Sequence, residues 1–150
     1  YKVVVLGDRG VGNNSLTVQF CSYHYMSSYQ PTIENLDSKR LVIGNDSYLL
    51  DILNTAGEPV YKILKDRWIQ RGDGFLLVYS TADLRSFWKI KLIWDDILAF
   101  KGGPQPPMIL TEHIKWQSRS DSLGPQECHP FLPLKWAFDV AQSMAKQNEL

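Results

Sequence analysis

Two rhythms of apolar and polar positions run through the first 110 residues. Three short runs carry no polar interruption: "VVVL" at 3–6, "GFLLVYS" at 74–80 and "MIL" at 108–110. Such runs predict strands buried on both faces, as in a parallel sheet covered by helices on either side. Between them, apolar residues recur at intervals of three and four. Residues 15–23 repeat at Leu16, Val18, Phe20 and Cys21, residues 61–69 predict a short helix, and residues 86–100 repeat at Phe87, Ile90, Trp94, Ile97 and Leu98. That spacing gives a helix one inward face. Residues 39–43 and 47–53 read as a strand pair turned through Gly44, Asn45 and Asp46, a hairpin signal. "SSYQPTIEN" is a loop because Pro31 disfavours helix at the residue before it. "NTAGEPV" is a second loop, and "KGGPQPP" stops the long helix. Strands alternating with helices predict an α/β fold, a mostly parallel central sheet flanked by helices.

Past Thr111 the rhythm fades. Residues 112–130 show no period and are rich in Ser, Pro, Gly and charge, while residues 136–147 predict a last helix. A length of 150 residues suits one domain over 1–150. Sixteen Lys and Arg balance sixteen Asp and Glu, so no global field calls for nucleic acid or an anionic membrane. Two cysteines, Cys21 and Cys128, fit a reducing compartment and give no disulfide framework. No apolar run approaches the ~20 residues of a membrane span. The chain ends "KQNEL", without a lipidation box or polybasic tail, and is expected to be cytoplasmic. It begins at Tyr1 without methionine, which suggests trimming upstream. Membrane association through a trimmed tail stays open.

The candidate chemistry lies in "LGDRGVGNNS", residues 6–15, which follows the first strand and opens the first helix. Gly7 and Gly12 are five apart, as in the phosphate-cradling loop G-x-x-x-x-G-K-[ST]. Glycines there let backbone N–H groups face an anion, and the helix adds its positive end. The lysine slot, however, holds Asn13, and the hydroxyl slot holds Asn14.

Taken with "PTIEN", "LLDILNTAGE", "GDGFLLVYS" and "PPMIL" in the same order and spacing, this loop resembles the Ras family of small GTPases, near its Ras, Rap and Rheb branches. The likeness is clear over 1–110 and poor over 111–150. It implies a single P-loop NTPase-like domain with a six-strand sheet, a C-terminal part that is divergent or truncated, and GTP or GDP with Mg²⁺ at the strands' C-terminal ends. By resemblance the nucleotide would meet Gly7, Gly10, Val11, Gly12, Asn13, Asn14, Ser15, Tyr29, Thr32 and Gly57. The metal would meet Asn14, Thr32 and Asn54, and Glu58 stands where the family's water-orienting glutamine sits. Protein effectors or regulators would dock on residues 29–35 and 57–68.

Several of these positions are altered. Asn13 brings no charge to the phosphates, and Asn54 replaces a carboxylate that holds a hard cation. Ser15 is no substitute for Asn14, because one helical residue turns ~100°. Glu58 would set a carboxylate against phosphate, beside a stiff Pro59. Arg9, in the second-glycine slot, is tolerable, as Rheb-like members carry it. The guanine-reading motif aligns with His113, Ile114, Lys115 and Trp116, none of which replaces its aspartate. His113 reads as an ordinary loop histidine and Trp116 as cover for an apolar rim. For the tail, residues 136–147 form either the helix before a missing sixth strand or the final helix after a crippled strand at 130–134.

The sequence therefore supports a degenerate, pseudoGTPase-like domain that presents a Ras-like surface. Alternatives are a working guanine-nucleotide switch with a deviant site, a binding module using Trp68, Trp88 and Trp94, or a product with no selected role.

Overall fold

Strand β1 (Lys2–Gly7) sets the architecture, because both of its faces are buried. In this computed structural model, residues 1–23, 34–55, 57 and 62–113 are described. After β1 come α1 (Asn13–Ser22), β2 (Glu34–Ile43), β3 (Asp46–Thr55), α2 (Lys62–Arg71), β4 (Gly74–Ser80), α3 (Leu84–Lys101) and β5 (Met108–His113). The strands form one sheet in the order β2-β3-β1-β4-β5. β1 runs parallel to β3 and β4, and β4 parallel to β5. Only β2 is antiparallel, paired with β3 through the hairpin. The expected mostly parallel sheet flanked by helices is therefore present. Residues 114–150, including both candidate tail helices and any sixth strand, lie outside the described residues, as do Trp116, Tyr29, Thr32 and Glu58.

Alternation along β1 and β4 divides the core in two. Val3, Val5, Leu76 and Val78 face one way and pack with Leu16 and Phe20 of α1. Val4, Leu6, Phe75 and Leu77 face the other way, against Trp68 and Ile69 of α2 and Ile90, Ile93 and Ile97 of α3. An uninterrupted apolar run is what a strand with two buried faces demands.

Boundaries differ from the pattern where pairing or capping overrides it. β2 begins at Glu34, five residues before the apolar signal, because its ladder with β3 continues to the pair Glu34–Thr55. Polar groups satisfy this stretch laterally, with Ser38 Oγ donating to Asp51 Oδ1 at 2.7 Å. β5 likewise continues to His113, which pairs with Ser80. His113 is thus the last residue of a strand, which corrects its reading as a loop histidine. α3 begins two residues earlier than its apolar period, since Asp83 Oδ1 accepts the Arg85 N–H at 3.0 Å. The Arg85 guanidinium, which also donates to Asp83 Oδ1, and then that backbone hydrogen bond hold the Asp83 carboxyl below its ordinary value.

Trp68 decides against the alternative of a partner-facing aromatic face. It is 2% exposed and belongs to the core beneath α2 and α3, so it cannot serve a partner-facing surface. Trp94 packs partly against the same cluster, whereas Trp88 stands 65% exposed. The three tryptophans form no common face.

Two outcomes follow from this packing. Trp68→Ala should cost about 3–5 kcal/mol, the usual range for emptying a buried aromatic site, measured by urea unfolding; a loss below ~1 kcal/mol would contradict the packing. Cys21, on α1 and facing β2, has its thiol pushed up to about 11 by burial and then by the Asp37 carboxylate, with Lys39 opposing. Its alkylation at pH 8 should be far slower than that of an unfolded control and should accelerate only toward pH 11, because the thiolate is the reactive form.

Candidate functional site

The loop between β1 and α1 keeps the backbone shape that its glycines permit. Gly10 has φ +72° and Gly12 has φ +109°, a conformation that side-chain-bearing residues rarely adopt. Gly12 then caps α1: its carbonyl accepts the Leu16 N–H at 3.0 Å, and no side chain caps the helix. Val11 is buried in the core under α1. Asn13, Asn14 and Ser15 form the first turn of α1, directly after the loop. The structure therefore brings Gly7, Gly10, Val11, Gly12, Asn13, Asn14, Ser15, Asn54 and Gly57 to one end of the sheet.

At the lysine slot, Asn13 does not reach outward. It is 8% exposed and folds back over Gly7, where a Cβ would lie 2.7 Å from Asn13 Oδ1. Its backbone carbonyl accepts Thr17 Oγ1 at 3.0 Å. Among the described residues, Asn13 Oδ1 has no hydrogen-bond donor, and neither does Asn54 Oδ1. Both are carbonyl oxygens, so this part of the site offers acceptors where a phosphate would need donors.

Asn14 and Asn54 meet directly. Asn54 Nδ2 donates to Asn14 Oδ1 at 3.0 Å, joining α1 to β3 across 40 residues of sequence. Asn54 is fully buried, and beside it Thr55 Oγ1 donates to Val5 O at 2.8 Å. These are the positions that resemblance assigns to Mg²⁺. A hard cation wants charged oxygen donors in octahedral array. Here one amide oxygen is already taken by the other amide's N–H, and no carboxylate stands at either position. This pair does not fit Mg²⁺. Among the described residues there is also no cluster of three His, Cys, Asp or Glu that could hold a metal.

Two further groups line the loop. Gly57 approaches the backbone so closely that a Cβ would lie 2.6 Å from Gly7 O and would also strike the peptide between Asp8 and Arg9. On the other flank the His113 imidazole lies against Gly12, with its Cε1 at 2.6 Å from where a Cβ would be. In the guanine-reading position, then, an imidazole packs on the phosphate loop itself.

The sequence reading passed over Asp8 and Lys89. Asp8 Oδ1 accepts the Arg9 N–H at 2.9 Å, while its Oδ2 accepts from Lys89 Nζ at 2.7 Å. A carboxylate inside an anion-binding loop is a signal that charge alone could have raised. Lys89 gives none, since it stands 81 residues away on an ordinary helix surface.

Comparison with known proteins agrees with this architecture. The Ras family profile matches residues 2–123. "Ras-like protein B" of Aspergillus fumigatus is 46% identical over 101 residues, covering 67% of this chain and 42% of that protein. "Protein ras-2" of Neurospora crassa is 44% identical over 107 residues, covering 71% of this chain and 47% of that protein. "Ras-like protein rasB" of Dictyostelium discoideum is 38% identical over 110 residues, covering 73% and 56% respectively. The matches thus span about half the length of these curated relatives. With the sheet order, the loop before α1 and the approach of Gly57 all in place, this chain belongs to the Ras family of small GTPases.

Proposed function

We propose that this chain is a Ras-family domain with impaired binding and hydrolysis of GTP, acting as a pseudoGTPase-like signalling or interaction module. Ras-family proteins in general bind GTP or GDP with Mg²⁺ and contact effectors and regulators. The observation that carries the proposal is the amide pair: Asn54 Nδ2 bonds Asn14 Oδ1 at 3.0 Å where a charged metal site would be needed. Asn13 adds to it by lying folded over Gly7 without charge.

Magnitudes favour a large deficit. Hydrogen bonds to charged groups contribute ~1.5–3 kcal/mol each. Losing them from Asn13, Asn14 and Asn54, with the base contacts at 113–116, removes on the order of 6–10 kcal/mol. A loss of ~8 kcal/mol, the middle of that range, would take a complex starting near ~−16 kcal/mol to roughly micromolar affinity. Because the metal's ligands act together, these losses are coupled rather than additive. Glu58, in the water-orienting position, supports impaired hydrolysis on chemical grounds alone.

In this reading the working surface is the Ras-like exterior near residues 29–35 and 57–68, with buried Trp68 excluded. One observation favours a second reading, a working guanine-nucleotide switch with a deviant site: Gly10 and Gly12 keep the positive φ values of an anion-facing loop. No helix among the described residues is long and apolar enough to cross a membrane.

Isothermal titration with GTP and GDP in Mg²⁺ separates the two readings. Dissociation constants of roughly micromolar or weaker, unchanged by chelator, are expected; submicromolar binding abolished by chelator would establish the switch instead. The triple variant Asn13→Lys, Asn14→Ser, Asn54→Asp restores the cation and the metal ligands. It should bind GDP about a hundredfold tighter than the parent, and only with Mg²⁺ present.

A further inference from the structure

The chain itself engages the phosphate loop at Gly7, at the Asp8–Arg9 peptide and at Gly12, and leaves Gly10 open. The Arg9 N–H, one of the loop's backbone donors, points at a carboxylate already: Asp8 Oδ1 accepts it at 2.9 Å. The second oxygen of that carboxylate is tied to α3 by Lys89 Nζ at 2.7 Å. Asp8 is 15% exposed and Lys89 52% exposed, so the carboxylate is withdrawn from water while the ammonium remains half in it. Opposite, Gly57 presses on the same Asp8–Arg9 peptide, leaving no space for even a methyl group. Asn13 covers Gly7, and His113 covers Gly12.

We propose that this loop is self-occupied. The Asp8 carboxylate takes the place of an external anion at the loop's amide, and Lys89 holds it there. Two consequences follow from charge. A polyphosphate approaching the loop meets a fixed negative charge rather than a row of free donors. The ammonium of Lys89, at the loop's rim, is a latent phosphate-binding cation neutralised by the residue it restrains. This deepens the proposal of impaired nucleotide binding and rests on it for the low affinity of the parent chain. It requires no metal, because Asp8 and Lys89 lie apart from the Asn14–Asn54 pair.

The test compares variants of the full 150-residue chain in EDTA, titrated with inorganic tripolyphosphate and separately with GDP. Asp8→Ala removes the internal anion and frees Lys89. It should bind tripolyphosphate about tenfold tighter than the parent. Asp8→Asn keeps the shape and an acceptor for Arg9 but removes the charge, and should show a smaller gain in the same direction. Asp8→Ala combined with Lys89→Met should fall back to within about twofold of the parent, since the released ammonium supplies the gain.

Circular dichroism establishes that each variant is folded. Should Asp8→Ala unfold, the comparison of Asp8→Asn with the parent decides. Equal affinity of the parent and a folded Asp8 variant would overturn self-occupation. A gain that survives in the Lys89→Met background would overturn the role of the lysine. Titration of the parent with GTP and Mg²⁺ belongs to the preceding proposal and does not enter this comparison, so either idea can fail alone.

Discussion

A neutral hydrogen bond between two asparagines joins the two halves of the candidate site. Asn54 lies in the buried end of β3, and Asn14 stands in the first turn of α1. Their contact at 3.0 Å fixes the start of α1 relative to the sheet. An amide pair of this kind contributes about 1 kcal/mol net, and leaving either partner buried and unbonded would cost 1–3 kcal/mol. It is therefore a link that the fold needs once formed, but one with no charge to offer a ligand. A carboxylate at position 54 would repel a proton-free phosphate unless a cation stood between them. The neutral amide at position 54 adds no such charge, and its bond to Asn14 joins this end of the sheet to α1.

The remaining electrostatics point the same way. Within the loop the one carboxylate, Asp8, is paired with Lys89, and the position that would carry a lysine is an amide turned inward over Gly7. The Asp8–Lys89 pair is thus balanced internally, and Arg9 adds one further positive charge to the loop. Asn13 Oδ1 and Asn54 Oδ1 face no donor among the described residues, and both are acceptors. An anion would add to that imbalance rather than relieve it.

Much of the architecture was legible in the sequence because its strongest signals are local. "VVVL" and "GFLLVYS" have no other stable home than strands covered on both faces, and they became β1 and β4 with the expected cores. Where signals were weak, tertiary pairing decided. Asn35, Asp37 and Ser38 carry no strand pattern, yet the ladder with β3 extends β2 through them. For Trp68 a partner-facing role stood beside a core one, because a helix of Lys, Asp and Arg surrounds it in sequence. Its burial depends on where α3 lies, which only the fold reveals. In the site, the altered positions Asn13, Asn14 and Asn54 were readable as missing chemistry. What replaced that chemistry was not readable: the Asn14–Asn54 bond spans 40 residues and the Asp8–Lys89 pair 81.

The glycines need a different accounting from the one that a phosphate-loop pattern suggests. At Gly7 a Cβ would come within 2.5 Å of Val78 O and 2.8 Å of the Val11 side chain. At Gly57 it would strike the loop backbone. Both constraints arise from the packing of β1 against β4 and of Gly57 against the loop backbone. Close-packed interiors leave no slack for an added methyl group. Glycine at 7 and 57 is thus demanded by the packing of this fold even when the site is uncharged. Glycine at these positions therefore speaks for the architecture. The ability to hold a triphosphate rests on the side chains at 8, 13, 14 and 54, and these carry one paired carboxylate and three amides.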